Sequence, residues 1–146
     1  MRKNRIDALF EEPCRVVDIL PEQVPADSPG QFFAVEEYYR QPPRMAALHR
    51  KFAEILLKLN CYFDLWFSVN DADRLVKNPE PERMVSALCS EAAPWTVYAY
   101  FEAEDALVYM NHDDIYFTVY HPSDRLLDIL RKLAAAEGLF VRKSLL

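Results

Sequence analysis

Glycine is scarce in this sequence, since Gly30 and Gly138 are the only two among 146 residues. Phosphate-binding loops of the G-x-G-x-x-G and P-loop types need glycines where the backbone turns sharply or approaches a phosphate, and so does the G-x-S-x-G turn. The chain therefore cannot contain any of these motifs. Nucleotide binding through those loops is excluded, although other routes stay open.

The cysteines and histidines lack the spacing of a metal site. Cys14, Cys61 and Cys89 are odd in number and far apart, and the chain has neither a C-x-x-C pair nor an H-E-x-x-H motif. Such cysteines in a cytosolic chain are typically small buried hydrophobes, with a catalytic thiol as the alternative. We expect no bound metal and no cofactor.

Basic residues are also fewer than acidic ones in this sequence. The chain has 17 lysines and arginines against 23 acidic residues, which gives a net charge of −6. Because nucleic-acid affinity comes largely from basic residues that neutralise phosphates, nucleic acid is not the expected partner. The apolar runs fall far short of the ~20 residues of a membrane helix, and the N-terminus lacks the apolar segment of a secretory signal. We expect a soluble cytoplasmic protein with no membrane association.

Ten prolines divide the chain into segments. Ser28-Pro29-Gly30-Gln31 has the form of a capping box and predicts a short helix, with a strand as the competing interpretation. Ser123 and Gly138 have the residue types that begin and end a helix. Helices are predicted at about 29–40, 44–60, 80–93 and 123–138, and strands at 14–20 and 139–142.

Three further segments, 62–69, 95–102 and 115–120, alternate between apolar residues and a parity of tyrosine, tryptophan, threonine, serine and acid. A period of two marks a half-buried strand. The sequence therefore predicts one α+β domain over residues 1–146, built on a mostly antiparallel sheet. The sheet should include a three-strand meander at about 95–120, with helices packed mainly on one face.

Histidines and carboxylates occur at both ends of the predicted meander. Asn111-His112-Asp113-Asp114 has the composition of a tight polar turn, with metal coordination or proton transfer as the alternative. At the opposite end, His121 should approach Glu104 or Asp105, as a surface ion pair or as a general base. His49 is expected to be a core-edge histidine with its hydrogen bonds satisfied.

The polar parity of the strands is the candidate binding surface. Tyrosine and tryptophan combine a large contact area with one hydrogen-bonding tip, so they are frequent in interfaces and ligand pockets. A covering layer of helix is the alternative. No catalytic residue is assigned, and the candidate residues for a ligand or partner are Asp64, Trp66, Tyr98, Tyr100, Tyr116 and Tyr120.

The leading hypothesis is a non-catalytic cytoplasmic protein that binds or regulates a protein partner, or associates with itself; enzymatic activity stays open. A hypothesis of another class is a small hydrolase or isomerase that acts on a neutral or cationic small molecule. It would use Asp64 or His121 as its acid–base group. A third hypothesis is an acidic inhibitor of the immunity-protein type, directed against a basic partner.

Overall fold

The structure is a computed structural model, and it describes residues 1–91 and 94–144. Seven antiparallel strands form a single sheet in the order β3-β2-β4-β5-β6-β1-β7. The strands are β1 (Cys14–Asp18), β2 (Trp66–Val69), β3 (Val76–Lys77), β4 (Thr96–Phe101), β5 (Ala106–Asn111), β6 (Phe117–Tyr120) and β7 (Phe140–Lys143). Because β4, β5 and β6 are consecutive neighbours, the predicted meander is confirmed.

Five α-helices accompany the sheet in the described residues. They are α1 (Arg2–Leu9), α2 (Phe32–Arg40), α3 (Pro42–Asn60), α4 (Pro81–Leu88) and α5 (Asp124–Ala136). The apolar stripes of α3, α4 and α5 pack on one face of the sheet and form the main core with the inward parity of the strands. The predicted α+β class and its mostly antiparallel sheet are confirmed.

The main core follows the alternation of the strands. Val97, Ala99 and Phe101 of β4 are fully buried on the helix side, and so are Val108 of β5 and Val119 of β6, which are their neighbours across the sheet. The intervening residues, including the tyrosines, lie on the opposite face, because successive side chains of a strand alternate.

The final helix begins and ends as predicted. The Ser123 hydroxyl accepts a hydrogen bond from the backbone N–H of Leu126 at 3.2 Å. Gly138 takes the left-handed conformation with φ of 74°. The N–H of Leu139 then donates to the Ala134 carbonyl at 2.8 Å, which closes a Schellman turn and brings Leu139 into the core.

The predicted capping box at 28–31 is wrong. The helix begins later, with Gln31 at the N-cap and no side-chain capping bond, while the Ser28 hydroxyl accepts from the backbone N–H of Gly30. This local hydrogen bond competes with helix capping, because the short serine side chain can accept from a backbone N–H two residues further along the chain.

The predicted strand at 62–69 is shorter than expected, since β2 begins at Trp66. The N–H groups of Tyr62 and Phe63 both donate to the carbonyl of Leu59 at the end of α3, so these residues continue the helix turn instead of pairing in the sheet. The predicted helix that starts at Glu80 ends at Leu88, and its last predicted residues, 92 and 93, lie outside the described residues.

Two short elements have no counterpart in the sequence-based prediction, namely α1 and the two-residue strand β3. Across the described ranges, none of the helices has the length and apolar character that crossing a bilayer requires.

Candidate functional site

Helix α1 covers one half of the tyrosine face. Ile6 and Leu9 of α1 are fully buried, and they form a second, smaller core with Tyr100 and Leu107 on this side of the sheet. Phe10, just after α1, makes edge-on contacts with three more rings, at centroid distances of 5.0–6.3 Å, and these belong to Tyr98, Tyr109 and Tyr120. This half of the face is therefore an internal surface.

Two arginines of α1 form ion pairs with the turn between β4 and β5. Arg5 makes a bidentate pair with Asp105, with Nε 2.7 Å from Oδ1 and Nη2 2.5 Å from Oδ2. Hydrogen bonding from Arg5 lowers the pKa of Asp105. His121 Nδ1 lies 2.8 Å from the Asp105 carbonyl oxygen and 3.6 Å from Oδ2, so the predicted pairing of His121 with this acidic turn is confirmed. Arg2 binds Glu102 at 2.9 Å.

The other half of the tyrosine face borders a groove of about 420 Å³. Strands β6, β1 and β7 form one side, and the segment after β1 together with α2 forms the other. Its lining includes the charged and tyrosine side chains of Asp18, Glu22, Glu36, Tyr116, Tyr120 and Arg142. A groove of this size is in the range of ligand pockets, which is about 300–1,000 Å³.

A nearly buried ion pair lies in this groove. Arg142 Nε and Nη2 donate to Asp18 Oδ2 at 3.1 and 3.0 Å, and the two side chains are only 14% and 11% exposed. The other carboxylate oxygen, Oδ1, accepts from the backbone N–H of Ile19 at 2.7 Å. Since Asp18 neutralises Arg142, the groove does not present a free positive charge from this pair.

Helix α2, beside the groove, has no buried residue. Phe33, Val35 and Tyr38 are 76%, 40% and 53% exposed. Short helices in proteins are normally stabilised by packing an apolar face on a core, and a nine-residue helix is marginal by itself. Tyr39 of α2 is half-buried against the main core. The exposed apolar residues on the other sides of the helix are typical of a surface that another molecule covers.

The six candidate residues do not form one site. Tyr100 is buried under α1 and Tyr98 is half-buried next to Phe10. The Trp66 ring lies under the guanidinium of Arg2, 3.6 Å from its centroid. Only Tyr116 and Tyr120 line the groove.

Asp64 lies apart from the groove, just before the start of β2. Its side chain is 67% exposed, 3.9 Å from Lys77 Nζ, and it accepts a hydrogen bond from Asn78 Nδ2 at 2.9 Å. The cost of placing a charge here is small because water and these partners solvate it.

A second cavity, of about 390 Å³, is lined by His49, Cys89, Trp95 and His112. His49 is buried, and its Nε2 lies 3.1 Å from the Asp114 carbonyl, which can only accept, so the predicted core-edge role of His49 is confirmed. Burial lowers the pKa of His49 and raises the pKa of the Cys89 thiol. Both shifts favour the neutral forms and work against a thiolate–imidazolium pair.

The predicted turn at 111–114 is present. The N–H of Asp113 donates to the Asn111 side-chain oxygen at 3.2 Å, and the N–H of Asp114 donates to the Asn111 carbonyl at 3.0 Å. His112 Nε2 is 3.0 Å from Asp113 Oδ1. Within residues 1–91 and 94–144, no group of three or more histidine, cysteine or acidic residues has the arrangement of a metal site.

Sequence reasoning missed Asp18, Arg142 and the exposed side of α2. A signal for the first two was available, because each is a charge next to apolar residues of a predicted strand and needs a partner or water. For α2, the available signal was the presence of apolar residues on more than one side of the predicted helix.

No family model, curated protein or solved structure matches this chain. The function therefore has to be argued from the site itself.

Proposed function

We propose that this protein is a non-catalytic protein-binding module whose partner docks on α2 and on the adjoining groove. The observation that supports the proposal is the exposure of Phe33, Val35 and Tyr38, which project from different sides of a helix without a single buried residue. A partner that covered these side chains would remove their apolar area from water, which is the main favourable term in association.

The groove supplies the polar part of the proposed interface. Protein interfaces combine an apolar centre with a polar rim, and tyrosine and arginine are enriched in them. Phe32 and Glu36 of α2 line the same groove as Tyr116 and Arg142, so the helix and the groove form one continuous surface.

A catalytic role has less support. The hydrolase or isomerase hypothesis depends on Asp64 or His121 in a concave site, whereas Asp64 is exposed and His121 is tied to Asp105. In the second cavity, the raised pKa of Cys89 and the lowered pKa of His49 disfavour nucleophilic catalysis by that pair. We also propose a cytoplasmic location, which the three unpaired cysteines support.

The test uses the variant Phe33→Ala/Tyr38→Ala and a matched control, Tyr62→Ala. Tyr62 is 59% exposed and does not line the groove, so its replacement removes an equally accessible ring elsewhere. The immobilised protein would recover its partner from extract of the source cells, and the identified partner would then be purified. Titration calorimetry with the purified proteins measures the affinity.

We expect the double variant to weaken partner binding at least tenfold, as loss of interface anchors typically does, while the control and the urea midpoint change little. If light scattering shows a dimer that the double variant converts to a monomer, the partner is a second copy of the chain. Full affinity of the double variant for every purified partner would contradict the proposal.

A further inference from the structure

Two accessible aromatic rings of this protein, those of Trp66 and Tyr38, are covered by its own arginines. The guanidinium of Arg2 lies 3.6 Å from the Trp66 centroid, and that of Arg44 lies 3.8 Å from the Tyr38 centroid. In the described part of the chain, no lysine or arginine occupies the corresponding position over Tyr116 or Tyr120. Neither groove tyrosine is thus used by an internal cation–π contact, and Tyr116 is the more accessible of the two because Tyr120 packs against Phe10.

The charges that line the groove are unbalanced. Three carboxylates, those of Asp18, Glu22 and Glu36, face one guanidinium, that of Arg142. Arg142 is engaged by Asp18 at 3.0 Å, and Glu36 has only a distant partner, Arg40, at 3.7 Å. Glu22 is exposed and forms no ion pair with any described residue. The groove therefore keeps a surplus of negative charge.

Tyr116 lies among charged groups at one end of the groove. Burial raises its pKa most, and the carboxylates of Asp114, outside the groove, and of Asp18 raise it further, while Arg142 and Arg40 lower it. A positive charge brought into the groove would enter a negative local field and contact an electron-rich ring at once.

We infer that the groove receives a lysine or arginine side chain from a basic segment of the protein partner, held between the tyrosine rings and the carboxylates of Glu22 and Glu36. The inference rests on the proposed function and adds the chemistry of the partner. The exposed apolar residues of α2 would then contact the residues that flank this basic side chain.

The experiment titrates the full-length ¹⁵N-labelled protein with two blocked tripeptides and follows amide resonances. One peptide is acetyl-Ala-Arg-Ala-amide, and the other carries citrulline, which has nearly the same shape as arginine but no charge. We expect the arginine peptide to shift resonances of Val16, Thr118 and Arg142 with a dissociation constant on the order of 1 mM, a weak affinity that suits a single side chain. The citrulline peptide should bind at least fivefold more weakly.

Two variants test the named residues. Glu22→Gln/Glu36→Gln keeps the shape of the groove, and we expect it to weaken arginine-peptide binding about fivefold or more. Tyr116→Leu should weaken it by a similar factor through loss of the ring face. Glu82→Gln on α4 removes an exposed carboxylate elsewhere and should leave the affinity unchanged.

Equal binding of the arginine and citrulline peptides would overturn the inference, and so would full affinity of Glu22→Gln/Glu36→Gln. The two proposals fail separately. Phe33→Ala/Tyr38→Ala could still abolish partner binding while the groove variants bind the partner normally. That result would support the protein-binding function and reject the insertion of a basic side chain into the groove.

Discussion

The ion pair of Asp18 and Arg142 shows how a single residue can be decisive in this fold. Removal of one partner leaves the other charge nearly buried and unpaired, which costs more than the pair itself contributes. We predict that Arg142→Leu lowers the free energy of unfolding by about 3 kcal/mol, measured by urea denaturation. Lys132→Leu breaks an exposed pair with Asp128 and should cost less than about 0.5 kcal/mol. Equal losses would show that Arg142 is solvated.

The buried His49 should make the free energy of unfolding depend on pH. Its pKa is lowered by burial, further by the charge of His112, and is partly restored by the bond to the Asp114 carbonyl. His49 in the unfolded chain therefore binds a proton below the ordinary histidine pKa of about 6.5, whereas His49 in the folded protein stays neutral until the pH is lower. The free energy of unfolding should fall as the pH drops through this window.

The variant His49→Gln isolates the effect, because all carboxylates titrate in both proteins. We expect the wild type to lose more stability than His49→Gln between pH 7.5 and pH 5, measured by urea midpoints at each pH. Parallel curves for the two proteins would mean that His49 is protonated normally in the folded state.

Among the elements, the end of α5 requires a left-handed backbone conformation at Gly138. Gly138 has φ of 74°, and a Cβ added there meets no atom within 4 Å, so Gly138→Ala suffers only the cost of the left-handed conformation. We predict a loss of about 1 kcal/mol in the free energy of unfolding. Gly138→Asn should lose less, because asparagine tolerates this region. Gly30→Ala is the control, since Gly30 does not have a positive φ, and a loss as large as that of Gly138→Ala would contradict the argument.

The elements differ in how well the sequence predicts them. Helix α3 and strand β4 were predictable because each buries a regular stripe or parity on a large core. Helix α1 was not, since only Ile6 and Leu9 of its eight residues are buried and the rest, apart from Ala8, is polar. Its position depends on Arg5 and Asp105, which are 100 residues apart in the sequence. Such a long-range contact leaves no local periodic signal.

At the scale of the whole molecule, the candidate site was only half predictable. Alternation identified the tyrosine parity, and Tyr116 and Tyr120 do line the groove. Strand order and the position of α1 decide which tyrosines are covered, and neither can be read from one sequence. Tyr100 is buried for that reason, although it alternates with apolar residues in the same way as the exposed Tyr116.

The net charge of −6 belongs to the whole molecule and carries the last prediction. If the partner of the proposed interface is basic, its approach is accelerated by the field of the entire protein, and salt screens that field over about 10 Å at 0.1 M. We predict that the association rate constant, measured by stopped-flow fluorescence with the purified partner, falls about tenfold between 0.05 and 0.5 M NaCl. The dissociation rate constant should change much less, because the apolar contacts of Phe33 and Tyr38 are insensitive to screening.

Glu22→Gln/Glu36→Gln should reduce the salt dependence of the association rate constant more than Glu82→Gln does, since only the former removes charge at the groove. An association rate constant that does not respond to salt would exclude a basic partner, whatever the contribution of α2.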